Sequence, residues 1–106
     1  MSFREPQDTV DRWVGQFEEG YFPPLANVAR LAEEVGELAR EVNHQFGPKA
    51  KKPEEPPGSI SMELADILFV VICIANSQKI DLDEAFAQMM KKITARDAGR
   101  WTKKAR

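Results

Sequence analysis

Nine consecutive residues, Ile67-Leu68-Phe69-Val70-Val71-Ile72-Cys73-Ile74-Ala75, contain no charged or strongly polar side chain, and this run constrains the fold more than any other. A short apolar run satisfies both the strand and the helix period, and Val and Ile favour strands. Its flanks select the helix. Glu63-Leu64-Ala65-Asp66 leads in, Ala75-Asn76 leads out, and Ser59 or Ser61 supplies an N-cap with Glu63 in the first turn. A helix over 60–78 that is apolar around its whole circumference must be covered on most sides. The run is far shorter than the roughly 20 residues of a membrane span, so a core helix is expected.

The rest of the chain supplies little cover. Pro6, followed by Val10, Trp13, Val14 and Phe17, marks an amphipathic helix over 5–18, which Glu19-Gly20-Tyr21-Phe22-Pro23-Pro24 stops. Val28, Leu31, Val35, Leu38 and Val42 form an apolar stripe on a second helix over 25–45, with its charges elsewhere on the circumference. Residues 47–58 hold four of the seven prolines and form a surface loop. Asp81 or Asp83 caps a last helix over 82–96, followed by a basic tail. The expected architecture is all-α, one domain over 1–106 resembling a four-helix bundle. Three short helices cover the apolar third one poorly, which predicts a homo-oligomer, a dimer or tetramer, with Asn76 bonding across the interface.

Charge narrows the partners. The net charge is -2 and the pI near 5.4, so bulk electrostatics draw the chain neither to a nucleic acid polymer nor to an anionic membrane, and an anionic ligand needs a local site. The single cysteine and an N-terminus without an apolar targeting segment fit a reduced, cytoplasmic protein.

Glu34 and Glu37 are three residues apart, as are Glu63 and Asp66, so each pair projects from one side of its helix. Glu63, Asp66, Ile67, Val70 and Ile74 share one face, which aligns the acids with core positions. A carboxylate aimed at a packed interface costs several kcal/mol unless it is paired or bound to metal, and Asp66 has no basic residue within four positions. Glu34 and Glu37 alone also fit a solvated face paired with Arg30 and Arg40. The two pairs together favour a cation, and all-oxygen ligands favour a hard one, Mg²⁺ or Mn²⁺.

Glu33-Glu34-Val35-Gly36-Glu37-Leu38 followed by Glu63-Leu64-Ala65-Asp66-Ile67-Leu68 resembles the E-E-x-x-E then E-x-x-D pattern of MazG-like nucleotide pyrophosphohydrolases, of the all-α NTP pyrophosphatase superfamily. The resemblance implies Mg²⁺-dependent hydrolysis of a nucleoside triphosphate between the α and β phosphates, in the service of nucleotide-pool cleansing. It implies metal ligation by Glu34, Glu37, Glu63 and Asp66, with Glu33 activating water, and phosphate contacts from Lys92 and Arg96. Phosphoribosyl-ATP pyrophosphohydrolase and dUTP or dCTP diphosphatase activities belong to the same superfamily. A helical interaction module without catalysis is the remaining alternative. Trp13 and Tyr21 are candidate base-stacking residues and Asn43 a candidate reader of base edges, against the plainer readings of core packing and a helix end.

Overall fold

A computed structural model describes residues 2–48, 51–55 and 58–105. Of the expected loop, Lys49, Ala50, Pro56 and Pro57 lie outside the described residues. The chain forms four helices, α1 (Arg4–Val14), α2 (Pro24–Phe46), α3 (Ile60–Ser77) and α4 (Leu82–Asp97), with no strand among the described residues. The apolar run lies wholly within α3, so the flanking residues prevail over the strand preference of Val and Ile.

Local chemistry sets the helix ends. α1 stops at Val14, short of the expected residue 18: the Gly15 N–H still reaches the Asp11 carbonyl at 2.9 Å, but Phe17 then bonds back to Val14 at 3.1 Å and Gly20 to Phe17 at 3.3 Å. These three-residue closures curl the segment tightly, and Gly20, at φ 62, completes the reversal in a conformation that other residues rarely adopt. α2 opens on Pro24, where the missing N–H costs nothing. Of the two candidate caps for α3, Ser59 acts, its Oγ accepting the Met62 N–H at 3.1 Å. Asp81 caps α4, accepting the N–H of Asp83 at 2.9 Å and of Glu84 at 3.4 Å.

α2 and α3 pack along their lengths and run antiparallel, so that Arg30 meets Phe69, Glu37 meets Glu63, and Glu41 meets Gly58. α1 lies across the C-terminal half of α3. There Gln7 Nε2 donates to Asn76 Oδ1 and to the Ile80 carbonyl, both at 2.9 Å, and Asn76 Nδ2 donates to the Gln7 carbonyl at 3.0 Å and to the Tyr21 hydroxyl at 2.9 Å. Asn76 thus bonds within the chain, to α1 and its following turn, and not across an interface as its position predicts. Every polar atom that this pair brings under cover has a partner, which is what permits two amides so close to the core.

α4 is held mainly at its first turn. The Phe3 N–H donates to Asp83 Oδ1 at 2.7 Å and the Phe3 and Phe86 rings meet at 5.5 Å. No residue of α4 is buried. The resulting body is open: its radius of gyration is 17.8 Å, against about 13 Å for a compact chain of this length.

The apolar stripe of α2 does not form the core face. Leu31 and Leu38 are half-buried, but Val28, Val35 and Val42 are exposed, at 57%, 49% and 38%. Toward α3 the helix instead presents a polar strip, Asn27, Arg30, Glu34, Glu37, Glu41 and His44, whose positions fall within about 100° of the circumference. Asn27 and Glu41 on it are buried. The fully apolar core is small and belongs to α3: Val70, Ile72, Cys73 and Ala75.

Candidate metal centre

Position along two antiparallel helices assembles the acids. Glu34 and Glu37 stand one turn apart on the polar strip of α2, and Glu63 stands in the first turn of α3 facing them. Each of these three offers a carboxylate oxygen within 4.8 Å of the others, on the scale of the roughly 4.2 Å that separates two opposed oxygens on Mg²⁺. Glu34 and Glu63 are half-buried and Glu37 is exposed. Asp66 lies outside this tight group and is exposed, yet near enough for its charge to act on Glu63. Glu33 is exposed beside Glu34.

Electrostatics mark Glu63 as the strained member. Burial first, and then the charges of Glu37, Asp66, Glu34 and Glu41, raise its carboxyl above the usual carboxylate range. One of its oxygens, Oε2, is buried with no hydrogen-bond partner. A buried acceptor without a donor costs about 1–3 kcal/mol, and this one lies among four like charges. A hard divalent cation fits both facts, because it supplies the missing partner and cancels the repulsion.

The deeply buried acid on α2 is Glu41, which the sequence reading passed over. Gln45 Nε2 donates to its Oε1 at 3.2 Å, Lys51 Nζ to its Oε2 at 3.2 Å, and these contacts hold its carboxyl below the usual range. A Cβ on Gly58 would collide with that carboxylate, so the loop passes over it at glycine. The signal was present in the spacing, since Glu34, Glu37 and Glu41 follow i, i+3, i+7.

Cavities flank the acids at both ends. Toward α1, a hollow of about 290 Å³ is lined by Trp13, Phe17, Tyr21, Phe22, Arg30 and Phe69, among others. Arg30 there sits over the Phe22 ring at 5.8 Å and the Phe69 ring at 5.7 Å, so it stacks instead of pairing with Glu34. Toward the proline-rich loop, a second hollow of about 240 Å³ includes Glu37, Arg40, His44, Lys51, Glu55 and Glu63 in its wall. Asn43 belongs to a neighbouring groove with Gly36 and Lys52. The three candidate base contacts are thus divided, Trp13 and Tyr21 at one end and Asn43 at the other.

The sequence model of the MazG nucleotide pyrophosphohydrolase domain matches residues 22–101, which span every element of this centre. The chain belongs to the MazG family. YpjD of Bacillus subtilis, an uncharacterised protein, is 53% identical over 103 residues, covering 97% of this chain and 93% of that protein. The crystal structure of Bacillus subtilis YpjD superposes with a TM-score of 0.78, covering 87% of this chain and 94% of that one. A Bacillus-conserved MazG protein, described as a nucleotide pyrophosphohydrolase, superposes at 0.76 with 50% identity, covering 88% and 90%. As a MazG domain the chain is a hydrolase of the nucleotide pyrophosphohydrolase type, and its four helices are the all-α fold that the motif resemblance implies.

In this MazG chain Lys92 and Arg96 lie on the exposed surface of α4, and neither lines the cavity shared by Glu37 and Glu63. Arg96 is engaged with its neighbour Asp97, Nε to Oδ1 and Nη2 to Oδ2, both at 3.1 Å. Tyr21, the chain's single tyrosine, is pinned. Its hydroxyl donates to Asp11 Oδ1 at 2.7 Å and accepts from Asn76, and burial together with the Asp11 bond pushes its pKa up to about 12. The phenol is therefore neutral throughout the working range and available to a ligand only as a ring and a hydroxyl. Ultraviolet titration of tyrosinate reads this one group, and its midpoint is expected near 12 in the folded protein, against 10 in denaturant. Because the folded state holds the proton more tightly, the associated stability is full below pH 10 and lost as pH rises toward 12. A midpoint of 10 in the folded protein would mean that the Asp11 bond does not form in solution.

Proposed function

We propose that this chain hydrolyses nucleoside triphosphates between the α and β phosphates, yielding a monophosphate and pyrophosphate. In this reading it works as a cytoplasmic homo-oligomer with Mg²⁺, for which Mn²⁺ can substitute, and removes modified or surplus ribo- and deoxyribonucleotides from the pool. The observation that carries it is the unpartnered Glu63 oxygen inside the carboxylate cluster of a MazG domain.

In this proposal Glu34, Glu37 and Glu63 would hold the ion, with Asp66, exposed beside them, as a further ligand. When bound, the ion neutralises phosphate charge and lowers the pKa of a water near it. Glu33, about 100° around α2 from Glu34, accepts the proton as the water oxygen bonds to phosphorus and the bridging P–O bond breaks. Trp13 and Tyr21, in the aromatic cavity one turn beyond Glu34, receive the base. Asn43, about 20 Å further along α2 than Arg30, does not reach a base seated there. Lys92 and Arg96 serve phosphate only if α4 is carried to the acids, which the open packing of that helix makes more natural between copies than within one.

The direct test is a panel of normal and modified NTPs and dNTPs incubated with Mg²⁺ or with EDTA, the products being resolved by anion exchange. Monophosphate plus pyrophosphate, formed only with Mg²⁺, is the expected result. Turnover of phosphoribosyl-ATP alone would move the chain to that branch of the superfamily, and no product from any nucleotide would overturn the reading. Binding should also be visible without chemistry. Mg²⁺ at a hundredfold excess over its Kd is expected to stabilise the fold by about 2.7 kcal/mol, read as a rise in Tm; a Tm that is flat across millimolar Mg²⁺ would leave the carboxylates without a metal role.

A further inference from the structure

The mixed-charge hollow at the loop end of the centre shares Glu37 and Glu63 with the chemistry above, but its other side chains are not used by it. Arg40, His44 and Lys51 meet there beside Glu37 and Glu63. Arg40 and His44 lie one and two turns beyond Glu37 on α2, and the loop returns Lys51 against the same helix. This brings three basic side chains into the same wall as Glu37 and Glu63, proposed to hold the ion, and as Glu41 and Glu55, which pair with Lys51 and Arg40.

Their present partners differ in how firmly they bind. Lys51 is tied to the buried Glu41 and serves as a fixed charge. Arg40, with a side chain 65% exposed, holds the more covered Glu55, 22% exposed, at 2.8 Å, so water screens the guanidinium end of the pair. A phosphate competes with Glu55 for that guanidinium, which binds it through two parallel hydrogen bonds. His44 carries a buried ring nitrogen, Nδ1, with no hydrogen-bond partner. It and the Glu63 oxygen are the two such side-chain atoms among the described residues, and both residues line this hollow.

We infer that this hollow, through Arg40 and His44 with Lys51 behind them, is the binding site for the pyrophosphate end of the nucleotide. The inference rests on the pyrophosphohydrolase reading for its ligand, and it fixes the direction in which substrate lies. Arg30 in the aromatic cavity and Arg40 are ten residues apart on one helix, about 15 Å at the helical rise, which is comparable to the length of an extended nucleoside triphosphate. The nucleoside lies toward α1, the α phosphate at the acids, and the β and γ phosphates run toward the proline-rich loop. Glu55 leaves Arg40 as the phosphates arrive.

Isothermal titration of the full chain with inorganic pyrophosphate, in excess Mg²⁺, tests this on the wild type, Arg40→Gln and His44→Gln. Each substitution is expected to weaken pyrophosphate by about tenfold, the scale of one lost charge-assisted or buried hydrogen bond. Inhibition by a nucleoside monophosphate and the Mg²⁺-induced rise in Tm are expected to stay as in wild type. Arg40 is exposed, so its variant is safe for folding even where His44→Gln is not. Unchanged pyrophosphate affinity in Arg40→Gln, an equal loss of monophosphate affinity, loss of the Mg²⁺ response, or no pyrophosphate binding by the wild type would each overturn the site. A wild type that turns over NTPs while both variants bind pyrophosphate normally would sink the subsite and leave the activity standing. A wild type that turns over no nucleotide but binds pyrophosphate through Arg40 would do the reverse.

Discussion

Glu63→Gln is expected to lose Mg²⁺-dependent turnover by at least about a hundredfold while the metal-free protein melts no lower, and at neutral pH higher, than wild type. The activity arm follows from removing an anionic ligand, which costs at least as much as the 10–100-fold typical of a group that only supports a ligand. The stability arm follows from the sign of the perturbation. Burial and four neighbouring acids hold the Glu63 carboxyl above its usual range, so the folded state disfavours its charge. That penalty is absent at low pH, grows as pH rises through the ordinary carboxylate range, and is complete above the raised value. Glutamine keeps the shape and removes the charge, so the gain in Tm over wild type should be larger at pH 7 than at pH 4. Saturating Mg²⁺ should reverse the order, stabilising wild type and not the variant. Thermal melts at the two pH values, with and without Mg²⁺, accompany the turnover assay. An inactive variant that melts well below wild type at neutral pH without metal would assign Glu63 to the fold and not to a cation.

The helices and the acids were legible in the sequence for a common reason: both are written in local spacing. Ser59, Asp81 and the carboxylates Glu34, Glu37 and Glu63 act within a few residues, and the structure keeps each in its local role, while Pro24, read as part of the stop after the first helix, opens α2. What was not legible is which side of α2 faces α3. An apolar stripe ordinarily marks the buried face, and Val28, Val35 and Val42 read that way. The centre reverses the rule, because a cluster of acids has to be fed from the helix–helix seam, and the polar strip from Asn27 to His44 takes that seam. Glu41 escaped notice for a related cause. Its partner Lys51 comes from a loop whose path no periodicity encodes. Asn76 shows the converse error, since a polar residue ending an apolar helix was satisfied by its own chain once Gln7 and Tyr21 folded against it.

The displaced apolar stripe sets the second large effect, and Leu68→Glu is expected to convert an associated wild type into a monomer at micromolar concentration. Leu68 is 52% exposed and Leu64 47%, on the helix that carries the chain's most apolar run. Val28, Val35 and Val42 recur at seven-residue intervals on α2, and Phe86 and Met90 lie open on α4. Large apolar side chains left open on three helices are what a partner surface covers, and the 17.8 Å radius of gyration leaves room for a second body to pack. By length and composition α3 could also cross a membrane. Glu63 and Asp66 stand in its first two turns, however, and Glu34 and Glu37 are held against it, so a lipid setting would carry four acids with the helix. A second copy would cover the apolar surface without moving any of them. Leu68 is already about half covered, so burying the rest contributes about 0.8–1.5 kcal/mol, a two-fold interface counts it twice, and the dissociation constant should rise at least about tenfold, with the glutamate's desolvation adding to it. Sedimentation equilibrium of wild type and Leu68→Glu reads the shift, with Gln88→Glu on the exposed part of α4 as a charge control. A monomeric wild type at micromolar concentration, or one that instead co-sediments with lipid vesicles, would remove the second copy from this account and leave Lys92 and Arg96 with no route to the acids.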